Sequence, residues 1–301
     1  MRVTLTGASG LIGSRLVEAL RARGDEVTVL SRDPDRTARQ LGVTAEPWQP
    51  LDGRAPAHAL AGRDAVVHLA GERVDQRWSD ASKAAIMASR ETGTRNLVEG
   101  LRGADPRPDV LVSASAVGYY GPRGDEVLDE SAAPGTDFLA RVCTAWEAEA
   151  ERAEALGMRV VRLRTGVVLD RRGGALGRML TPFRLGVGGP VAGGDQWLPW
   201  IHADDLAGLY LAALDGEGWS GPVNASAPEP VRNRDFSKAL GRALRRPAVL
   251  PVPGLALRAL YGDMAEIVTE GQRAVPRRAL ELGYAFRHAD LHAALRDALR
   301  G

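Results

Sequence analysis

The feature that most constrains the fold is a glycine-rich turn at the start of the chain. An apolar stretch at residues 3–6 leads directly into Gly7-Ala8-Ser9-Gly10-Leu11-Ile12-Gly13, and apolar residues then continue to Leu20 at helical spacing. Glycines at three-residue spacing between a strand and a helix let main-chain amides approach a phosphate closely. The positive end of the helix dipole favours the same anion. The turn therefore predicts a phosphate-binding element in a strand-turn-helix unit.

A second apolar strand is predicted at residues 27–30, about twenty residues after the glycines. In dinucleotide-binding folds, the position after this strand reads the ribose. An Asp or Glu there would select NAD, but the chain has Ser31-Arg32. Because a guanidinium can pair with the 2′-phosphate of NADP, these residues predict NADP(H). The alternative is that Arg32 is a solvated loop residue, like the nearby Arg36 and Arg39.

Strands and helices are predicted to alternate through the first half of the chain. Further strands are predicted at residues 43–48, 65–69, 110–113 and 159–163, and helices at residues 35–41, 79–101 and 138–156. Strands that alternate with helices form a parallel sheet that is covered on both faces. The pattern therefore predicts the α/β class, with a Rossmann doubly wound parallel sheet.

The periodicity changes in the middle of the chain, which predicts a division into two parts. We expect residues 1–168, completed by about residues 200–225, to form the Rossmann domain. Residues 170–200 and 226–301 are predicted to form a smaller, mostly helical substrate lobe. Glycines between residues 173 and 194 indicate a flexible cover over the site.

Composition limits the partners of the chain. It has 39 Lys and Arg residues against 38 Asp and Glu residues, so no net field favours nucleic acid or an anionic membrane surface. A single cysteine, Cys143, excludes an intramolecular disulfide. No apolar stretch approaches the length of a membrane span, and a strand is predicted from the first residues, so we expect a cytoplasmic protein. His68 and His202 are isolated in the sequence, which predicts no metal site.

Further motifs follow the glycine turn in order. They are His68-Leu69-Ala70-Gly71, residues 90–97 (RETGTRNL), Ser113-Ala114-Ser115, Tyr119-Tyr120-Gly121 and Trp200-Ile201-His202 with Asp204-Asp205. With these motifs, the chain resembles the extended short-chain dehydrogenase/reductases, a group that includes nucleotide-sugar epimerases. It is most similar to an atypical epimerase-family subgroup of uncertain function, often called cell-division-inhibitor-like. A carboxy-terminal segment at about residues 250–297 is part of that similarity.

The resemblance implies an NADP(H)-binding Rossmann fold and a small-molecule substrate. The cofactor contacts that it implies are Gly7, Gly10, Leu11, Ile12, Gly13, Ser31, Arg32, Leu69, Ala70, Gly71, Glu72, Arg90 and Val168. It also implies that the helices at residues 79–101 and 138–156 form the interface of a possible homodimer.

One departure from the resembled superfamily concerns catalysis. Active members carry a Tyr-x-x-x-Lys pair on the helix after the fifth strand, where the lysine eases proton transfer by the tyrosine. At those positions this chain has Leu139 and Cys143, whereas the upstream serine is retained as Ser115. The usual general acid is therefore missing.

Two candidates in this region have both a catalytic and a structural interpretation. Ser115 either polarises a substrate carbonyl or satisfies the end of its strand. Cys143 is either a thiol in the nicotinamide pocket, with a pKa lowered by Arg90 or Arg141, or a small buried apolar residue. Arg90 is predicted to bind the cofactor or a substrate anion or carbonyl, and the alternative is a solvated helix residue.

The aromatic and acidic candidates also have two interpretations each. Tyr119 and Tyr120 either replace the missing acid or form an aromatic wall. Glu72 either faces the ligand crevice at the end of its strand or caps the next helix. A substrate wall and simple lobe packing are equally consistent with three residues: Phe183, Trp197 and Trp200.

The predicted reaction is hydride transfer between NADP(H) and an unknown small carbonyl-type substrate, with Ser115 orienting the acceptor. A catalytically degenerate protein that senses NADP(H) or regulates a partner is the alternative from another class. Epimerisation of a nucleotide sugar is a third possibility, which the missing Tyr and Lys disfavour.

Overall fold

The computed structural model describes residues 1–300. The strands are β1 (Arg2–Thr6), β2 (Glu26–Ser31), β3 (Thr44–Pro47), β4 (Ala65–His68), β5 (Val110–Ala116), β6 (Val127–Leu128), β7 (Arg159–Thr165), β8 (Val167–Leu169), β9 (Trp197–Leu198), β10 (Trp200–His202), β11 (Gly221–Ala225), β12 (Val231–Arg232) and β13 (Arg273–Ala274). The helices are α1 (Leu11–Ala22), α2 (Pro34–Leu41), α3 (Asp80–Arg102), α4 (Phe138–Glu151), α5 (Gly174–Arg184), α6 (Ala203–Asp215), α7 (Asn233–Leu244), α8 (Gly254–Tyr261), α9 (Glu266–Thr269), α10 (Arg277–Glu281) and α11 (Leu291–Arg300).

Seven parallel strands form the central sheet in the order β11-β7-β5-β4-β1-β2-β3. The chain runs outward in one direction from β1 to β3 and in the other from β4 to β11. The strand order therefore reverses between β1 and β4, and open α/β sheets bind ligands in the crevice at the carboxyl ends of strands at such a point. The predicted α/β class and Rossmann topology are confirmed.

Apolar layers cover both faces of this sheet. On one face, Leu16 and Leu20 of α1 pack with Leu206 and Leu209 of α6 in a buried cluster with the sheet. On the other face, α3 and α4 contribute a second cluster that contains Leu97, Leu101, Ala150 and strand residues. Each helix turns an apolar stripe toward the sheet, which is the arrangement that makes the sheet doubly wound.

A third apolar cluster lies in the part of the chain where the sequence predicts the smaller lobe. It combines residues of α5, β10, α7 and α11: Leu176, Leu180, Phe183, Trp200, Phe236, Leu240 and Leu295. Phe183 and Trp200 are therefore core residues of this lobe. Of the two interpretations of these aromatic residues, the structure supports lobe packing.

Two predicted elements differ in length from the structure. β5 continues three residues beyond the predicted strand because Ala114, Ser115 and Ala116 pair with β7. α4 ends at Glu151, and a separate 3-10 turn covers residues 154–156 of the predicted helix. Apolar periodicity alone does not reveal that break.

The glycines beyond α5 are closely packed. A β-carbon at Gly189 would lie 2.1 Å from the carbonyl oxygen of Leu250, and one at Gly188 would lie 2.4 Å from the Phe183 ring. At these positions the glycines let the loop after α5 pack closely against Phe183 and Leu250. The segment that was predicted to be a flexible cover is therefore packed here. Within residues 1–300, none of the helices combines the length and apolarity that a membrane span requires.

Candidate cofactor and substrate site

The glycine turn lies at the carboxyl end of β1, next to the point where the strand order reverses. Gly7 has φ 69°, in the left-handed region, and a β-carbon there would lie 2.7 Å from the carbonyl carbon of Leu69. A β-carbon at Gly13 would lie 2.4 Å from the carbonyl oxygen of Gly7. Packing therefore requires both of these glycines.

Gly10 has a different role in the turn. A β-carbon there would meet only the carbonyl oxygen of Gly7, at 3.3 Å. Gly10 is the N-cap of α1, and no side chain caps the helix. Since the first amides of a helix lack partners within it, the start of α1 at Leu11-Ile12-Gly13 offers donors to an anion. The residues present thus fit a phosphate group.

Ser31-Arg32 follows β2 as predicted. The Ser31 hydroxyl is 2.8 Å from the Thr37 hydroxyl and accepts the backbone N–H of Asp33 at 3.1 Å. Arg32 is exposed. Among residues 1–300 it has no carboxylate within ion-pair distance, so its guanidinium is available to an external anion.

The loop after β4 is fixed by a buried hydrogen-bond chain. Thr6 Oγ1 accepts the backbone N–H groups of Leu69 and Ala70, both at 3.1 Å. These two bonds use both lone pairs of the hydroxyl, so its proton goes to His68 Nδ1 at 2.7 Å. His68 Nε2 then carries the ring proton and donates to Thr94 Oγ1 at 3.0 Å.

His68 is therefore a neutral structural residue. Burial, assisted by the positive charge of Arg90, lowers the pKa of His68 to about 3. The chain of bonds holds residues 69–71 beside the glycine turn. The sequence contained no local signal for it, because Thr6 and Thr94 lie on different elements.

Arg90 braces the next part of the same loop. Its Nη1 donates to the carbonyl oxygen of Glu72 at 2.9 Å, and its guanidinium carbon lies 4.9 Å from the centre of the Trp146 ring. Burial lowers the pKa of Arg90. The guanidinium also lies close to Gly71, where a β-carbon would be 3.2 Å away. Arg90 is thus a partly buried cation at the predicted site, not a solvated residue of α3.

Glu72 does not cap α3. The cap is formed by Ser79 and Ser82, whose side chains and backbone N–H groups bond reciprocally. The backbone N–H of Glu72 instead donates to Ser89 Oγ at 2.9 Å. Val168, the last predicted cofactor contact, lies half-buried on β8 beside the sheet core.

Ser115 belongs to a buried charged network. Its hydroxyl donates to Glu147 Oε1 at 2.6 Å. The same carboxylate accepts Arg164 Nε and Nη2, both at 2.8 Å, while Arg162 Nη1 lies 3.7 Å away. The two-pronged pairing raises the pKa of Arg164, although burial opposes this. In this arrangement Ser115 stabilises a buried ion pair.

Tyr120 extends that network across the sheet. Its hydroxyl accepts Arg164 Nη1 at 3.0 Å and donates to Asn224 Oδ1 at 2.7 Å. Burial raises the pKa of Tyr120 to about 12. Tyr119 is half-buried, and the guanidinium carbon of Arg164 lies 3.4 Å from its ring centre. Of the two tyrosines, Tyr119 alone is partly open to solvent.

Cys143 faces the turn that follows β5. A β-carbon at Gly118 would lie 4.0 Å from Cys143 Sγ and 3.3 Å from Leu139 Cβ. Burial, together with the negative charge of Glu147, raises the pKa of Cys143 to about 12 and outweighs the opposing effect of Arg90. Of the two interpretations of Cys143, the one with a lowered thiol pKa is therefore wrong.

Arg141 does not contribute to the thiol environment. It is exposed, and its Nη1 donates to the carbonyl oxygen of Thr136 at 2.6 Å. Arg141 and Cys143 are two residues apart in α4. Because an α-helix has 3.6 residues per turn, their side chains lie on different faces of the helix.

A small pocket, with room for about one water molecule, lies beside Gly118 and Leu139. Trp78 and Phe138 form an aromatic wall with ring centres 5.1 Å apart. The pocket also contains three carboxylates, which belong to Asp137, Glu266 and Glu270. Burial and the charges of the other two carboxylates raise the pKa of Glu270. Sequence reasoning missed this wall because its parts come from three distant segments.

Trp197 is not among the residues that line this pocket. The guanidinium carbons of Arg232 and Arg273 lie 4.1 Å and 4.5 Å from the centre of its ring. Its indole N–H donates to Asp125 Oδ1 at 2.8 Å. These contacts tie β9, β12 and β13 together.

His202 is not isolated in the fold. Its ring stacks on His288 at 3.8 Å, and its Nε2 lies 3.4 Å from Asp297 Oδ2. Its Nδ1 accepts the backbone N–H of Asp204 at 3.1 Å and thereby caps α6. His202, Asp204, His288 and Asp297 bring imidazole and carboxylate ligand atoms within 4.8 Å of one another, a grouping that the isolated histidines of the sequence did not indicate.

Sheet order, glycine turn and crevice together define a Rossmann-type dinucleotide-binding protein. Comparison with known proteins specifies the family. Residues 3–224 match the NAD dependent epimerase/dehydratase family, and residues 252–298 match a domain of unknown function, DUF1731.

The chain is similar over its whole length to several epimerase-family proteins. It is 42% identical to the chloroplastic SDR39U1 homolog of Arabidopsis thaliana, covering 100% of this chain and 87% of that protein. It is 37% identical to YfhF of Bacillus subtilis, covering 98% and 97%. A crystal structure of human SDR39U1 with NADPH is 37% identical, with a TM-score of 0.90 and complete coverage of both chains. The chain therefore belongs to the NAD dependent epimerase/dehydratase family, as an atypical SDR39U1-like member.

Proposed function

We propose that this protein binds NADP(H) and transfers hydride between it and a small carbonyl-type substrate. The observation that carries the proposal is the pairing of an open helix N-terminus at Gly10 with an unpaired Arg32 after β2. The first suits a pyrophosphate and the second a 2′-phosphate. The NADPH in the human relative supports the same assignment.

Each part of the site has a proposed task. The turn at Gly7, Gly10 and Gly13 holds the pyrophosphate, and the braced loop at residues 69–72 forms the opposite wall. Hydride transfer is the chemistry that the nicotinamide supplies when it is bound. Arg90, buried beside this loop, places a fixed positive charge at the site.

Charge development on a substrate oxygen needs a donor other than the usual tyrosine. With a pKa of about 12, Cys143 keeps its proton at neutral pH, so it can act as a weak hydrogen-bond donor but not as a thiolate nucleophile. Ser115 can orient an acceptor only by releasing Glu147. Of the two tyrosines that follow β5, Tyr119 is the one with access to solvent.

The residues at Leu139 and Cys143 bear on the third candidate reaction, epimerisation of a nucleotide sugar. In the pocket beside Leu139, Lys83 Nζ lies 5.7 Å from the Phe138 ring centre, and Arg258 pairs with Glu266, so cations accompany the carboxylates of this pocket and its charge does not select a substrate. Leu139 and Cys143 stand where active relatives carry the Tyr and Lys that transfer the proton in epimerisation. This disfavours nucleotide-sugar epimerisation. The structures of UDP-sugar 4-epimerases resembling this chain are 17–22% identical and support the fold alone.

A binding protein that has lost catalysis is the second candidate. The hydrogen bond from Ser115 to Glu147 favours this candidate. Ser115 is the one side chain retained from the superfamily's catalytic set, and its proton is already donated to Glu147. Two measurements separate the candidates: NADPH affinity by titration, and NADPH oxidation with a panel of small carbonyl compounds. Oxidation that depends on the carbonyl compound supports the reductase. Tight NADPH binding with no oxidation across the panel supports the sensor.

A further inference from the structure

One surface of the smaller lobe combines positive charge with exposed apolar side chains. Residues 176–194 and 236–262 contain seven Lys and Arg residues and no Asp or Glu, in a chain whose net charge is only +1. The two segments touch: the Val252 N–H donates to the Pro190 carbonyl at 2.9 Å, and Arg246 Nε donates to the Arg184 carbonyl at 3.0 Å. We call these two segments the basic surface.

The same surface concentrates the exposed apolar residues of the protein. Seven of its large hydrophobic side chains are exposed: Leu185, Val187, Val249, Leu250, Leu255, Leu260 and Tyr261. Leu255 is 82% exposed and Val249 74%. α8 buries none of its residues. Several exposed apolar side chains on two touching segments are typical of an interaction site.

In the described part of the chain, four of the seven cations on this surface have no carboxylate partner, whereas Arg178, Lys238 and Arg258 pair with acids of neighbouring segments. Within residues 1–300, no carboxylate lies within ion-pair distance of Arg184, Arg242, Arg245 or Arg246. A shallow groove beside Val249 is lined by Lys238, Arg242, Arg245 and Arg246. Guanidinium groups around a groove of this kind suit phosphate oxygens.

We propose that the basic surface binds peripherally to the face of a lipid bilayer that contains anionic phospholipids. Apolar side chains flanked by Lys and Arg enter the boundary between headgroups and acyl chains, while the cations pair with headgroup phosphates. The arginines can keep their charged heads in the headgroup layer while their stems lie along apolar surface. A nucleic acid would use the charge but leave the leucines exposed.

The placement of the exposed apolar side chains favours a bilayer over a protein partner. The exposed side chains come from three separate places: the loop after α5, the loop after α7, and α8. A bilayer accommodates such scattered apolar side chains without shape complementarity, whereas a stable protein interface requires a matched surface.

The test is co-sedimentation of the full chain with phosphatidylcholine vesicles, with and without phosphatidylglycerol. We expect binding only to the vesicles that contain phosphatidylglycerol, and weaker binding at high salt. Replacing Arg242, Arg245 and Arg246 with Gln should weaken partitioning about fivefold per residue. Leu255→Ser should weaken it as well.

The matched controls are Arg54→Gln, Arg296→Gln and Leu51→Ser, which alter exposed residues outside the basic surface. They should leave partitioning unchanged, and circular dichroism should show the same fold in every variant. Three results would overturn the proposal: no sedimentation with either vesicle, binding that the controls reduce equally, or self-association that Leu255→Ser abolishes in the absence of lipid.

Discussion

Ser115 and Glu147 form a 2.6 Å hydrogen bond between β5 and α4, and both side chains are buried. The same carboxylate pairs with Arg164 on β7. In this fold, the serine that relatives are expected to use on substrate also donates a hydrogen bond to a buried ion pair. If Ser115 donates its proton to a substrate, it must therefore give up its hydrogen bond to Glu147, which weakens this network.

Removing the charge of Glu147 should destabilise the protein strongly. Glu147→Gln leaves Arg164 and Arg162 buried without their shared carboxylate, and breaking a buried pair in this way costs about 3–5 kcal/mol. Chemical denaturation measures the loss. Glu99→Gln is the control, because Glu99 pairs only with exposed arginines and should cost about 0–1 kcal/mol. Equal losses in both variants would contradict a structural role for the network.

Arg32 should select the cofactor. Arg32→Ala is expected to weaken NADPH binding by about 1–3 kcal/mol, because one charge-assisted contact is lost, and to leave NADH binding nearly unchanged. Fluorescence titration with both cofactors measures the difference. Arg39→Ala, an exposed arginine of α2, should change neither affinity. Equal affinities of the unmodified protein for NADH and NADPH would refute the assignment.

Two glycines of the turn should respond differently to valine. Gly10→Val is expected to abolish nucleotide binding and keep the fold, because a side chain there meets little protein and enters the space assigned to phosphate. Gly13→Val is expected to disrupt folding, because its β-carbon would overlap the carbonyl oxygen of Gly7. Circular dichroism and NADPH titration distinguish the two effects. Undiminished NADPH affinity in folded Gly10→Val would place the nucleotide elsewhere.

Cys143 should react slowly and with an unusual pH dependence. Because its pKa is raised to about 12, its alkylation rate should keep rising tenfold per pH unit beyond pH 9, without the plateau of an ordinary thiol. The linked stability is present below the unfolded pKa of about 8.5 and is lost as pH rises toward 12. The rate of labelling of this single cysteine, measured against pH, tests the point.

The same labelling experiment locates the thiol relative to the cofactor. Saturating NADPH should slow the reaction further if Cys143 borders the nicotinamide pocket. A free small thiol supplies the reference rate at each pH. A rate that is indifferent to NADPH would remove Cys143 from the proposed site.

The sequence alone determined the fold class and the phosphate-binding turn. Strand β1, the glycines and α1 are contiguous, so their apolar periodicity and glycine spacing are local properties that can be read directly. The position of Arg32 after β2 is equally local. These features do not depend on what packs against them.

Only the tertiary structure decided the electrostatic state of the site. Ser115, Glu147 and Arg164 lie on β5, α4 and β7, and the raised pKa of Cys143 follows from burial that no sequence window reports. The basic surface has the same origin. Its two segments lie more than forty residues apart in sequence. In the net charge of the chain, their cations are balanced by acidic residues elsewhere. Only folding brings these cations and leucines onto one face. Burial and charge proximity are properties of contacts between distant segments, and those contacts form only when the chain folds.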